Sequence, residues 1–192
     1  MESIFETLLT SEEIPEELKE RMGEHVRIQH VKKGDLLQSP GALNPGGFFV
    51  RKGLLRCYVL DEKGKEHIYM FAPAGWAIGD VEAQAFEKPS SFYVDALEDS
   101  EIIVAIEGMH NNYFESLSNE AFPGEMMRLM RRVGVLQRRV IMLMSATAKK
   151  RYDAFLKTYP DIVQRVPQKM IASYLGITPE ALSKIRKEMV SK

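Results

Sequence analysis

Apolar residues follow different periods in different parts of the chain. From Val26 to about Glu107, short runs rich in Val, Ile, Phe and Tyr are separated by glycine-containing turns. This pattern predicts an antiparallel all-β unit, either a jelly roll or a barrel. Before that unit, the apolar positions within residues 4–22 recur at helical spacing and predict two short amphipathic helices. After it, helical spacing returns at Pro123 and continues to the end of the chain.

The segment that begins at Pro123 predicts a long helix with an apolar seam. β-branched residues alternating with leucine at 3-4 spacing are typical of a parallel two-stranded coiled coil, so the seam predicts a dimer interface. The run covers three heptads, so a helix docked on the apolar face of the β unit stays open as an alternative. The seam positions are Met126, Leu129, Val133, Leu136, Val140 and Leu143.

Residues 166–189 predict two short helices around a tight turn. Pro167 suits the first position of the first helix, and Gly176 suits the left-handed conformation that ends it. Thr178 and Pro179 suit the N-cap and the first position of the second helix. These features together resemble the helix-turn-helix signature. An ordinary helical hairpin with a solvated basic face is the alternative.

The resemblance to a helix-turn-helix depends on seven positions. They comprise a small residue where the helices cross, a glycine in the turn, and five apolar core residues: Ala172, Gly176, Ile171, Leu175, Ile177, Leu182 and Ile185. At about 100° per residue, the second helix turns its charged side away from this core. Such a polar face is what the major groove of DNA would contact.

The predicted DNA contacts divide into base readers and phosphate contacts. Glu180 in the first turn can accept from a cytosine amine, and Lys184 can donate to guanine. Arg186 and Lys187 lie farther from the helix entry and are predicted to hold phosphates. The full set is Gln168, Lys169, Thr178, Glu180, Ser183, Lys184, Arg186 and Lys187. The basic run 149–151 is a further phosphate-contact candidate, with a solvated charge run as the alternative.

Charge is distributed unevenly along the chain. Residues 1–122 carry 11 Lys and Arg against 22 Asp and Glu, whereas residues 123–192 carry 15 against 5. This asymmetry favours a basic module for a polyanion joined to an acidic module. Cys57 is the single cysteine, so an intramolecular disulfide and a cysteine-ligated cluster are excluded, and its strand position favours a buried thiol. The acidic start of the chain predicts neither a signal peptide nor a membrane span, and hence a cytoplasmic protein.

The run from Phe48 to Asp80 resembles the cyclic-nucleotide-binding roll of the Crp/Fnr family of bacterial transcription regulators. Together with the C-terminal motif, the resemblance covers nearly the whole chain. It implies an α+β fold with an N-terminal antiparallel β-roll, a long dimerisation helix and a C-terminal winged helix-turn-helix. The implied domains are an effector roll in 1–122, the dimerisation helix in 123–145 and a DNA-binding domain in 146–192. The implied partners are double-stranded DNA, a second copy of the chain and RNA polymerase, with no membrane.

The sequence departs from the family at the nucleotide cassette. Asp80, after Gly79, stands where the family has a glutamate for the ribose, and Ser90 followed by Ser91 stands where it has the phosphate-clamping arginine. A buried phosphate needs a cation or several aimed donors, and only Lys88 is near in sequence. We therefore do not expect cyclic AMP to bind in the family's manner. An unidentified small-molecule effector, or none, stays open, and Gly79 can equally be a turn glycine.

Catalysis is not predicted for this chain. The four histidines are scattered without metal-ligand spacing, and no nucleophile elbow or phosphate-cradling glycine loop accompanies them. No catalytic residue, metal ligand or cofactor is therefore assigned. The alternatives to a transcription regulator are a non-DNA regulatory or protein-interaction module built on a pseudo-nucleotide-binding roll, and a metal-dependent barrel enzyme.

Overall fold

The computed structural model describes residues 26–43, 46–86, 88–105 and 122–190. The chain divides into two compact units, the first formed by Met1–Leu60 with Tyr69–Glu125 and the second by Asp61–Ile68 with Met126–Lys192. The two amphipathic helices predicted within residues 4–22 lie outside the described residues. The finer division into 1–122, 123–145 and 146–192 stays a prediction.

The described part of the first unit is built of short strands, as the alternating apolar pattern predicts. The strands are β1 Val26–Val31, β2 Leu36–Gln38, β3 Gly47–Lys52, β4 Leu54–Leu60, β5 Glu66–Pro73, β6 Ala77–Ile78, β7 Tyr93–Ala96 and β8 Ser100–Ala105. They form two four-stranded antiparallel sheets, in the orders β1-β8-β3-β6 and β2-β7-β4-β5. One short helix, α1 (Val81–Phe86), follows β6 and has no counterpart in the sequence prediction.

The two sheets enclose one apolar core. Val50 of β3 and Ile102 of β8 contribute from one sheet, and Leu55 and Val94 contribute from the other; all four are fully buried. Cys57 belongs to the same core, which confirms the predicted buried thiol. Burying aliphatic side chains from both sheets is the main stabilisation of such a fold, at about 1.5–3 kcal/mol per side chain.

The second unit is mainly helical. The long helix begins one residue before the predicted Pro123 and ends at Ser145. Residues 146–190 form helices and connecting turns without a strand, so the predicted wing is not confirmed among the described residues. Of the predicted jelly roll, the two antiparallel sheets are confirmed and the finer description is not. No helix of the described residues is long and apolar enough to cross a membrane. The helices are α2 Phe122–Ser145, α3 Ala148–Thr158, α4 Ile162–Arg165, α5 Gln168–Leu175 and α6 Pro179–Val190.

Candidate nucleic-acid interface

A tight turn joins α5 to α6, the two helices that we call the helix pair (residues 168–190). Gly176 ends α5 with φ 65° and ψ 39°, the left-handed conformation that glycine adopts at little cost. The Ile177 N–H donates to the Ala172 carbonyl at 3.0 Å, which closes a Schellman-type cap. The left-handed helix end that the sequence predicts at Gly176 is therefore confirmed.

The two helix starts differ from each other in their caps. Thr178 caps α6 as predicted, because its Oγ1 accepts from the Ala181 N–H at 3.2 Å and Pro179 is the first helical residue. Pro167, in contrast, is not the first residue of α5. Its ψ of 142° is extended, so it precedes the helix as the capping residue, and α5 begins at Gln168. The prediction was one residue early because proline fixes φ and leaves ψ free.

The underside of the helix pair is packed as predicted except at Ile177, which is half-buried. Ile171, Ala172 and Leu175 of α5 are buried, as are Leu182 and Ile185 of α6. Ala172 is fully buried, in keeping with the close crossing expected of a small residue. Since these side chains take one face of each helix, the other face of α6 is left to solvent.

The outer face presents most of the predicted DNA contacts to solvent. Arg186 is the exception, because it is half-buried at the edge of the apolar stripe. On the surface, the Ser183 hydroxyl lies 3.4 Å from the Gln168 Oε1, so the two helices contribute to one continuous polar face. The exposed members of the set are Gln168, Lys169, Thr178, Glu180, Ser183, Lys184 and Lys187.

Glu180 is held ionised at the start of α6. Its own backbone N–H and the Thr178 hydroxyl donate to the carboxylate, which places its pKa below the usual value. The positive end of the helix dipole acts in the same direction. A carboxylate that is charged at neutral pH can accept from an exocyclic amine, as the sequence analysis requires of this residue.

Three of the four seam side chains of α2 that the structure describes are exposed. Val133, Val140 and Leu143 are 44%, 55% and 39% exposed, and Leu136 is half-buried. These side chains, apart from Leu143, line a shallow groove along the helix. The side chains of Met126 and Leu129 lie outside the described residues. An exposed apolar stripe of this extent is typical of a surface that another protein chain covers.

The cassette residues form a closed hydrogen-bonded network in the first unit. Asp80 is 4% exposed, and its carboxylate accepts from the Ala83 N–H at 3.0 Å, the Ser91 N–H at 2.9 Å and the Ser90 hydroxyl at 3.1 Å. Gln38 Nε2 donates to Ser90 Oγ at 2.6 Å. The structure thus brings Asp80, Ser90 and Ser91 together, but the Asp80 carboxylate already accepts from the Ser90 hydroxyl and the Ser91 N–H.

Neither Gly79 nor Lys88 adds a cation or an open anion site to this network. A Cβ at Gly79 would lie 3.0 Å from Gln84 Nε2 and 3.3 Å from the Gly46 carbonyl oxygen and the Gly47 Cα, so close packing accounts for a glycine here, and its role in a turn stays a prediction. Lys88 is exposed and its Nζ is 2.8 Å from Glu82 Oε1. Gln38, which the sequence analysis missed, is part of the site because β2 and β7 are neighbours in the sheet, a fact that no local motif reveals.

Comparisons with known proteins bear on the fold. No protein-family model matches the sequence, and no curated protein matches it. FixK2 from Bradyrhizobium japonicum is similar in structure, with a TM-score of 0.71, 16% identity, and coverage of 86% of this chain and 85% of that one. A mutant of CooA from Carboxydothermus hydrogenoformans gives a TM-score of 0.69 at 20% identity, covering 100% and 86%. A Crp/Fnr-family transcriptional regulator from Thermus thermophilus gives 0.64 at 18% identity, covering 86% of each chain.

Proposed function

We propose that this chain, which has the fold of the Crp/Fnr transcription regulators, is itself a DNA-binding transcription regulator of that type. It acts as a homodimer that reads a palindromic operator through the helix pair, and it works in the cytoplasm with RNA polymerase as a further partner. A wing contacting DNA beside the recognition helix belongs to the same proposal. No catalytic step is assigned to it.

The observation that carries the proposal is the exposed polar face of α6. Its first turn is fixed by the Thr178 cap and by Pro179, so Glu180 and Lys184 project from a rigid helix entry. One such helix covers few base pairs. Two copies held about one DNA turn apart, roughly 34 Å, would cover a palindromic site.

A selection from random duplex oligonucleotides tests the proposal. We expect enrichment of a palindrome whose half-sites are spaced by about one helical turn. Enrichment of no sequence would overturn DNA recognition and favour the protein-interaction module.

Alanine at Glu180 or Lys184 will relax the base preference of the protein. Each change should cost about 1–3 kcal/mol on the preferred site, because a direct hydrogen bond to a base edge is lost. Lys187→Ala should instead weaken all sequences alike and reduce the salt slope by about one per subunit, since it removes a phosphate contact. Titrations against the selected site and its single-base variants, at several salt concentrations, measure both quantities.

Two outcomes would contradict these roles. One is an unchanged base preference in Glu180→Ala, and the other is a changed preference in Lys187→Ala with an unchanged salt slope. Glu188→Ala is a useful comparison, because it changes an exposed residue of the same helix outside the predicted DNA contacts. We expect it to keep the base preference of the wild type and to change stability by no more than about 0.5 kcal/mol.

Cyclic AMP will bind the β-roll weakly or not at all. The buried Asp80 carboxylate bonds to Ser90 and Ser91, the residues that stand at the family's phosphate clamp, so a phosphate there would face a like charge in place of a guanidinium. Calorimetric titration of the full chain with cyclic AMP measures this directly. A dissociation constant of about 1 μM or tighter would contradict the prediction.

A further inference from the structure

A cavity of about 190 Å³ lies within the second unit, between the C-terminal part of α2, the helix α3 and the helix α5. Its wall is mostly apolar and includes Met142, Phe155 and Leu175. Three arginines also line it: Arg138, Arg139 and Arg151. None of the described residues that line the cavity is acidic. An apolar chamber bordered by guanidinium groups suits a ligand that is apolar at one end and anionic at the other.

The arginine side chains are held in different ways. Arg139 donates from Nη2 to the Tyr174 carbonyl at 3.1 Å, and its guanidinium lies 4.1 Å from the centre of the Tyr174 ring. Arg151, one of the phosphate-contact candidates, is half-buried and donates from Nη1 to the Leu143 carbonyl at 3.2 Å. Its Nε is buried, and among the described residues this N–H has no hydrogen-bond partner. A buried charged donor without a partner is costly, and a carboxylate would supply one.

We propose that this cavity is a binding site for a small amphipathic carboxylate, with the carboxylate at Arg151 and the apolar body against Met142, Phe155 and Leu175. The volume sets the size of the ligand. An apolar cavity of about 150 Å³ holds benzene, so this one accommodates a phenyl group or a short alkyl chain. All residues that line the cavity belong to the second unit, and the proposal does not depend on the proposed DNA binding.

Calorimetric titration of the full chain with 3-phenylpropionate and with octanoate tests the proposal without DNA. The matched probe is 3-phenylpropan-1-ol, which has the same apolar body and no charge. We expect at least one of the acids to bind saturably and at least about tenfold more tightly than this alcohol, because the charge-assisted hydrogen bond is absent in the alcohol. The proposal is overturned if neither acid saturates the protein at about 5 mM, or if 3-phenylpropionate and the alcohol bind equally tightly.

Two variants test the charge of Arg151 and the volume of the cavity separately. Arg151→Gln should weaken binding of the acid at least about tenfold and leave the alcohol unchanged. Ala154→Leu keeps a good helix former on α3 but fills the cavity, so it should weaken both probes. Lys157→Gln, an exposed change on the same helix, should alter neither. Thermal unfolding establishes that each variant is folded. If a folded Ala154→Leu protein binds the acid as tightly as the wild type, the binding site does not lie in this cavity.

Discussion

Glutamate at both Val133 and Leu136 will convert the protein to a monomer and lower its affinity for the preferred operator by about a thousandfold or more. Each substitution places a charge in an apolar seam, where it would be buried without a partner. A monomer also keeps only one recognition helix, so its binding falls towards the non-specific range, about 10³-fold or more below specific affinity. Sedimentation at micromolar concentration measures the assembly, and titration of the selected site measures the affinity.

A second double substitution on α2 is the control. Met130 and Met144 are 57% and 83% exposed and lie outside both the seam positions and the groove, so changing both to Glu replaces the same number of apolar residues and adds the same charge. We expect this variant to stay dimeric and to bind DNA like the wild type. A wild-type monomer, or a control variant that dissociates as fully as the Val133 and Leu136 variant, would contradict the prediction that the seam is the dimer interface.

Alanine at Asp80 will destabilise the first unit by about 2–4 kcal/mol. Its buried carboxylate satisfies the Ala83 and Ser91 N–H groups and the Ser90 hydroxyl, and each buried donor left unpaired costs about 1–3 kcal/mol. Some relaxation and entry of water reduce the sum. Urea unfolding, followed by a probe of the β-roll such as Trp76 fluorescence, measures the free energy.

Glu82→Ala is the matched control for Asp80. Glu82 lies two residues further on, in the first turn of α1, but its carboxylate is exposed and pairs with the exposed Lys88. Exposed pairs contribute little, so the change should stay within about 0.5 kcal/mol. Equal stability of the two alanine variants would show that the Asp80 network does not stabilise the unit as its burial and hydrogen bonds indicate.

Local chemistry made the helix pair predictable from the sequence. The left-handed conformation at Gly176 and the Thr178 cap each depend on a few adjacent residues, so residue type alone indicates them. The buried and exposed faces of α6 follow from helical period in the same way. The start of α5 was predicted one residue early because proline fixes φ but not ψ, and ψ at Pro167 is extended. The short helix α1 was missed because six residues carry too little periodicity to be recognised.

The sequence by itself determined that a β unit is followed by a long helix and by the helix pair, and it indicated the buried side of the helix pair and the residues of the candidate DNA-reading face. These features depend on hydrophobic period and on capping, which act between residues close together in the chain. Only the tertiary structure decided that Asp80, Ser90 and Gln38 are joined by hydrogen bonds, and that Arg151 lines a cavity with Arg139 and Phe155. Gln38 and Ser90 are 52 residues apart, and strand pairing sets their distance. Contacts of this kind depend on how elements pack, and no local pattern of residues encodes that packing.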